Sequence, residues 1–83
     1  MKKVIFGDKR FLILEKRYNG NIDYMVVRKN MPKEYHAHFN NKNGARMLIK
    51  LYWNNEIPKS KYLMTSLKRI CTQKELIQRK IIN

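Results

Sequence analysis

Two histidines at alternate positions, His36 and His38, form the sharpest local pattern of chemistry-bearing residues in this sequence. In a β-strand, alternate side chains project from the same face, so both imidazoles could reach one metal ion or one phosphate. A structural zinc site needs about four protein ligands and a catalytic one about three, and the remaining Asp, Glu and Cys residues show no such spacing. The pattern therefore favours contact with nucleic acid over a metal site, and the alternative is a pair of exposed strand histidines.

No enzyme active site is expected from the remaining chemistry. The three glycines, Gly7, Gly20 and Gly44, form no phosphate-binding loop. Cys71 could act as a nucleophile with a histidine base, but it lies between an apolar helix seam and a capping threonine, where a free cysteine is usually a small buried hydrophobe. One cysteine also excludes an internal disulfide framework and a cysteine-based zinc finger. We therefore expect a non-enzymatic protein of a reducing, cytoplasmic compartment, with no cofactor and no metal.

The charge balance indicates the class of partner. Among 83 residues there are 19 Lys and Arg against 6 Asp and Glu, which gives a formal net charge of +13. A net charge of about 2–8 already keeps a small domain soluble, and self-repulsion from a larger charge opposes folding unless a polyanion relieves it. This predicts DNA or RNA as the partner. No membrane partner is expected, because apolar runs such as 12–14 and 47–49 are far shorter than the ~18 residues of a membrane helix.

Basic and aromatic residues alternate through the first half of the chain, and basic residues recur at four-residue spacing in the second half. Cations follow phosphates and aromatic rings stack on bases. The alternative is that tyrosines and methionines fill a small core which the lysines solvate. The candidate residues for binding nucleic acid or another partner are Arg10, Lys16, Arg17, Arg28, Lys29, His36, His38, Lys42, Arg46 and Lys50.

Strands in the first half must position many of these residues. Segments 11–18 and 22–29 are rich in strand-forming side chains, and Asn19-Gly20-Asn21 between them predicts a hairpin turn. Residues 34–39 alternate between apolar and polar side chains, which predicts a third strand with one buried face. Residues 4–6 predict a short fourth strand at an edge.

The second half predicts helices. Asn40-Asn41 and Ser60 are N-cap residues for two of them, and Thr72 with Glu75 forms a capping box for a third. Apolar residues follow each cap at helical spacing. Gly44 is expected to weaken the first turn of the first helix.

Together these elements predict a single α+β domain over residues 1–83. A three- or four-stranded antiparallel sheet over about 4–39 is followed by two or three helices over about 42–82. In this arrangement the sheet face and the basic helix stripe would hold phosphates, with little readout of base sequence.

The βββα order of residues 11–53 resembles the three-stranded-sheet DNA-binding domains of plant ethylene-response factors and of the amino-terminal arms of some tyrosine recombinases. Phe39 ends a strand and Ala45 begins a helix, as in those families. The resemblance covers about half of the chain. It implies that the sheet lies in the DNA major groove with the helix packed behind it. Several arginines and a tryptophan of the plant sheet are missing, and Gly44 stands where the family has Glu.

A second resemblance is to short uncharacterised proteins of phages and mobile elements from Gram-positive bacteria. Segments 36–39 and 57–60 carry it, within a match over roughly residues 35–70. It implies an accessory gene, of the kind among which regulators and inhibitors of host defence are common. A phage-encoded protein would act in the host cytoplasm.

Two hypotheses follow for the function. The first is a small non-enzymatic nucleic-acid-binding accessory protein. The alternative is a protein-binding inhibitor of a host nucleic-acid-processing complex, similar in role to an anti-CRISPR protein. Its partner would be a host protein or ribonucleoprotein, contacted through an apolar and aromatic patch for which Tyr52, Trp53 and Tyr62 are candidates.

Overall fold

A four-stranded sheet precedes three helices in the computed structural model, which describes residues 2–82. The elements are β1 (Lys2–Gly7), β2 (Phe11–Tyr18), β3 (Asn21–Arg28), β4 (His36–Phe39), α1 (Lys42–Trp53), α2 (Lys61–Ile70) and α3 (Gln73–Gln78). The strands lie in chain order, and each pairs with its neighbour in antiparallel orientation. This confirms the predicted α+β class.

The turn between β2 and β3 sets the register of the sheet. Asn19 and Gly20 have φ values of 50° and 76°, and positive φ at both central residues is typical of the type I′ turn that joins two-residue hairpins. Tyr18 pairs directly with Asn21 as a result, so the predicted hairpin is confirmed. The register places on one face the side chains that form the core of the sheet: Phe11, Ile13, Tyr24, Val26, Ala37 and Phe39.

β4 begins at His36, two residues later than the sequence predicts. The Tyr35 N–H donates to the Pro32 carbonyl and the His36 N–H donates to the Glu34 carbonyl, so the chain is still turning at residue 35. These two N–H groups are satisfied within the turn, although the Tyr35 carbonyl already accepts from the Arg28 N–H of β3 at 3.0 Å, so regular pairing begins only at His36.

α3 ends at Gln78, whereas the sequence predicts helix to about residue 82. The Lys80 N–H donates to the Ile77 carbonyl and the Ile81 N–H donates to the Leu76 carbonyl. Lys80 has a φ of 62°, so the helix ends in a Schellman motif with lysine at the left-handed position where glycine is usual. The apolar residue that follows, Ile81, still packs against the core as expected.

The helices pack on one face of the sheet. α1 buries Ala45, Leu48, Ile49 and Tyr52, the face that its apolar spacing predicts, and α2 adds Leu67 and Ile70. Within residues 2–82 the opposite face of the sheet carries no helix. No helix within residues 2–82 is long and apolar enough to cross a membrane.

Gly44 allows α1 to begin directly against β4. A Cβ atom at this position would lie 2.8 Å from Cδ1 of Phe39, a ring that is only 4% exposed. The absent side chain therefore lets the first turn of α1 approach the sheet closely, which sets the distance between the helix and the sheet.

We expect Gly44→Ala to lower the free energy of unfolding by roughly 1–2 kcal/mol, because overpacking against Phe39 exceeds the ~1 kcal/mol that alanine gains in helix propensity. Urea denaturation measures this. Asn43→Ala, in the same turn but exposed, is the control and should not lose stability. Equal stability of the two variants would mean that the Phe39 ring moves to accommodate the added Cβ atom with no loss of stability.

Candidate nucleic-acid interface

Most carboxylates of this chain are held in internal contacts, so the exposed charge is predominantly positive. Asp8 accepts hydrogen bonds from two backbone N–H groups and an indole N–H, and Asp23 contacts an imidazole at 2.8 Å. Glu15 and Glu75 are largely buried against arginines. Because these four carboxylates are engaged in specific contacts, most exposed Lys and Arg side chains within residues 2–82 have no acidic partner.

The three helices present the densest exposed positive charge. They carry seven Lys and Arg and one carboxylate, Glu75, which faces inward. We call the exposed cations the helical basic surface, which consists of Lys42, Arg46, Lys50, Lys61, Lys68, Arg69 and Lys74. Within residues 2–82 none of them forms a salt bridge.

The predicted stripe of Lys42, Arg46 and Lys50 lies on this surface. All three side chains are exposed, and Arg46, in the middle of the stripe, lies beside Phe6 and Ile13 at the β1 edge of the sheet. Four residues of α-helix rise by about 6 Å, so the stripe presents a cation at regular short intervals along the helix axis. Such a row suits a polymer with repeated negative charges.

The side of the sheet without helices, here called the open face, has an apolar centre. Its rows run across the strands and end in the two histidines on β4. The apolar members, partly or largely exposed, are Val4, Leu12, Leu14, Met25 and Val27.

Three of the predicted site residues, Lys16, His36 and His38, lie on the open face. α1 packs on the other face of the sheet, so its basic stripe and the open face lie on different sides of the domain. One nucleic-acid segment cannot lie flat against both. The structure therefore separates two surfaces that the sequence analysis treats as one.

The remaining basic residues of the hairpin lie at its two ends. Arg17, near the turn, has a side chain that is 67% exposed and contacts Glu15 at 3.3 Å. At the other end, Lys29 Nζ donates to the Asp8 carbonyl at 2.9 Å, and Arg10 donates to a tyrosine hydroxyl on α1. These three do not join the helical basic surface.

Arg28 belongs to the core. It lies on the same face of β3 as Tyr24 and Val26 and is 8% exposed. Its two terminal nitrogens donate to the two Glu75 carboxylate oxygens at 2.8 and 2.9 Å, and one also donates to the Ile70 carbonyl at 2.8 Å. The expectation that Arg28 contacts nucleic acid is overturned, because its charge is neutralised inside the protein.

The acid partner of Arg28 is ionised over the whole ordinary pH range. Burial alone would raise the pKa of Glu75, but hydrogen bonds from Arg28, the Tyr52 hydroxyl and the Thr72 backbone lower it to about 2. The hydrogen bond to Glu75 raises the pKa of Arg28 despite its burial. The Thr72–Glu75 capping box that the sequence predicts is confirmed and holds the carboxylate in place.

The histidine pair forms as the alternation predicts. The two rings meet edge to face with centroids 4.9 Å apart. His38 Nδ1 lies 2.8 Å from Asp23, and His36 Nδ1 lies 2.6 Å from the Lys33 carbonyl. In the neutral form, His36 donates through Nδ1 because a carbonyl only accepts. Among residues 2–82, no group of three His, Cys, Asp or Glu side chains could hold a metal ion.

Cys71 is the small buried hydrophobe that its position predicts. Its residue is 3% exposed, and burial raises the pKa of the thiol to about 11. At neutral pH the sulfur therefore remains protonated and is a poor nucleophile.

Several surface cations escaped the sequence prediction of the site. The α2 residues Lys61, Lys68 and Arg69 lie outside the apolar seam of that helix, a pattern that could have added them to the α1 stripe. The sequence pattern does not indicate Arg79 and Lys80, because it predicts that the third helix continues through both residues.

Comparisons of the chain with protein-family models, with curated proteins and with solved structures found no match. The two resemblances noted in the sequence therefore remain expectations.

We expect acid to remove a component of stability that belongs to Glu75. The pKa of the Glu75 carboxyl falls from 4.5 in the unfolded chain to about 2 in the fold, so its ionised form stabilises the fold at pH values above 4.5. This stabilisation is lost as the pH falls from 4.5 to about 2. The component is roughly 3 kcal/mol. Glu75→Gln should lower the free energy of unfolding by a comparable amount at pH 7. In this variant the free energy of unfolding should also fall less steeply between these two pH values.

Urea midpoints from neutral pH to pH 2 measure both effects. Glu34→Gln is the matched control, since Glu34 is exposed and the same substitution should leave the profile unchanged. If the urea midpoint falls equally steeply with pH in Glu75→Gln and in the parent protein, other groups control acid unfolding.

Proposed function

We propose that this protein is a small non-enzymatic nucleic-acid-binding accessory protein that holds the phosphate backbone on its helical basic surface. The observation that carries the proposal is the concentration of seven exposed cations on three helices whose single carboxylate is turned inward. Lysine and arginine contacts to phosphates supply affinity and position without reading sequence. The partner is DNA or RNA, bound with little base selectivity.

The helical layer is a better phosphate-binding surface than the open face. The resemblance to βββα domains implies a sheet placed in the major groove, where polar side chains read base edges. Here the centre of the open face is apolar, with residues such as Leu14, Met25 and Val27. These side chains offer no hydrogen bonds to base edges, so the proposal places the nucleic acid on the helices.

Phage or mobile-element origin and a cytoplasmic location form part of the proposal. The first is supported by the resemblance over residues 35–70, and the second by the single, buried cysteine.

The open face favours a second candidate function, an anti-CRISPR-like inhibitor that binds a host nucleic-acid-processing complex. A groove of about 520 Å³ crosses this face, with Leu14, Met25 and Val27 in its floor, Lys2 and Lys33 beside it, and Glu34 and His36 completing its lining. An apolar centre with basic neighbours fits a protein partner whose apolar patch has an acidic rim.

The aromatic patch predicted for such a partner does not form. Tyr52 is only 2% exposed, and the exposed parts of Trp53 (42%) and Tyr62 (56%) lie in separate clefts, so the three rings share no one surface. An interface with a protein would therefore use the aliphatic centre of the open face.

Salt dependence should separate the two functions. With roughly 4–8 phosphate contacts, affinity for random duplex DNA should fall by about 10²–10⁴-fold between about 50 and 200 mM salt. Fluorescence anisotropy with unrelated DNA and RNA measures this. Absence of binding at low salt would contradict the nucleic-acid proposal. Salt-resistant capture of a host complex in nuclease-treated lysate would favour the inhibitor.

Charge reversal should locate the binding surface. We expect Lys42→Glu, Arg46→Glu and Lys50→Glu together to abolish nucleic-acid binding while the fold persists, because none of the three contributes to the core. Anisotropy measures affinity and circular dichroism checks the fold.

The matched control reverses three lysines beside the open face, Lys2, Lys16 and Lys33, and changes the net charge by the same amount. This control should retain most of the affinity. Equal losses in the two triple variants would show that net charge, rather than the helical basic surface, determines binding.

A further inference from the structure

A polar cleft of about 520 Å³ opens where the loop after β1 meets the carboxyl-terminal ends of α1 and α3. It contains none of the residues of the helical basic surface. Its lining includes three cations, an indole and two amide side chains: Arg10, Arg79, Lys80, Trp53, Asn55 and Gln78.

Positive charge in this cleft exceeds the available carboxylate. Three guanidinium groups surround the Tyr52 ring, with their central carbons 5.9 Å (Arg10), 5.2 Å (Arg28) and 4.4 Å (Arg79) from its centroid. The one carboxylate among them, Glu75, has both oxygens bonded to Arg28 and lies 3.5 Å from Arg10.

Arg79 and Lys80 have no carboxylate partner within residues 2–82. Arg79 donates to the Tyr52 carbonyl at 2.7 Å, and its Nη1 is buried without a hydrogen-bond partner in that range. Asp8, the other acid nearby, accepts from Trp53 Nε1 at 2.9 Å.

The carbonyl ends of α1 and α3 each contribute at most about half a negative charge. Together with Asp8 and Glu75 they offset about three of the four positive charges. These four are Arg10, Arg28, Arg79 and Lys80, so the cleft remains electropositive.

The backbone at Lys80 points to a role for this side chain. A left-handed conformation is usual for glycine or asparagine, and lysine at a φ of 62° is held there at a conformational cost. The Schellman motif that imposes this conformation places an exposed ammonium group at the edge of the cleft.

We propose that the cleft binds a phosphate group between Arg10, Arg79 and Lys80, next to the exposed part of Trp53. Guanidinium groups pair with phosphate oxygens through parallel hydrogen bonds, and a cleft of this size admits a nucleotide. Trp53 is 42% exposed, so its ring can stack on a base attached to the phosphate. The phosphate belongs either to a small phosphorylated compound or to the phosphorylated end of a nucleic acid.

Trp53 is the only tryptophan in the sequence, so its fluorescence reports on the cleft. Titration of the full chain with inorganic phosphate at constant ionic strength should give a saturable change, which chloride does not reproduce. This measurement uses no nucleic acid, so its result is independent of the proposed function.

Two substitutions and one control test the residues. Lys80→Asn removes the ammonium group but tolerates the left-handed backbone, so it should keep or raise the melting temperature while weakening phosphate binding several-fold. Arg10→Gln should weaken binding about tenfold, as expected for a lost charged hydrogen bond. Lys74→Gln, exposed on α3 and outside the cleft, makes the same charge change and should alter affinity less than about twofold.

A non-saturating response, or equal affinity in Lys80→Asn and Lys74→Gln, would overturn the proposal. If Arg10→Gln does not fold, Lys80→Asn still tests the phosphate site. This variant should fold, because the Lys80 side chain makes no hydrogen bond within residues 2–82.

A second arm identifies the source of the phosphate. A short single strand is compared with and without a 5′-phosphate, in the parent protein and in Lys80→Asn. Tighter binding of the phosphorylated strand only in the parent protein supports a nucleic-acid end. Saturable binding of inorganic phosphate without that difference supports a small phosphorylated compound.

Discussion

The buried ion pair between Arg28 and Glu75 holds the helical layer to the sheet. It joins β3 to α3 across 47 positions of sequence, and the Tyr52 hydroxyl brings α1 into the same contact. Removing one partner of a buried pair typically costs about 3–5 kcal/mol, because the other charge is left without compensation. This magnitude is a large part of the stability of a small domain, so the positions of α1 and α3 depend on this contact.

The same arrangement explains how a chain with a net charge of +13 forms a core. Among residues 2–82 the one buried arginine, Arg28, is matched by Glu75, while Asp8 and Asp23 contact neighbouring backbone and side-chain groups. Apart from Arg79, whose Nη1 is buried without a partner within residues 2–82, the cations that lack partners lie outside, where water and salt screen their repulsion. The acids thus stabilise the fold, and the unmatched cations remain available to an anionic partner.

Local signals in the sequence predicted most of the fold. The Asn19-Gly20 turn, the cap at Asn41 and the Thr72–Glu75 capping box each act within a few residues and lie where expected. The role of Arg28 was missed because its partner is distant in sequence. Its alternation with Tyr24 and Val26 places it on the buried face, but arginine is buried only when it is paired, and nothing local in the sequence indicates the pairing with Glu75.

The cleft could not be predicted, because it depends on where α3 stops. Lysine is not a usual helix-terminating residue, so nothing local indicated the left-handed turn at Lys80. The separation of the open face from the α1 stripe was likewise not predictable from either element alone, since it arises from which face of the sheet the helices cover.

The short length of α3 has a consequence for the order of folding. Helices below about 12–15 residues are marginal on their own, and α3 has six, so its structure depends on docking. The strands pair with their sequence neighbours and require only short loop closures, whereas Glu75 must return to β3 over a long stretch of chain. We therefore expect the four strands to pair before α3 docks, and α3 to be the first cooperative unit to open. Each such opening uncovers the Arg28 guanidinium, which becomes briefly exposed to solvent as a charged site in an otherwise intact sheet.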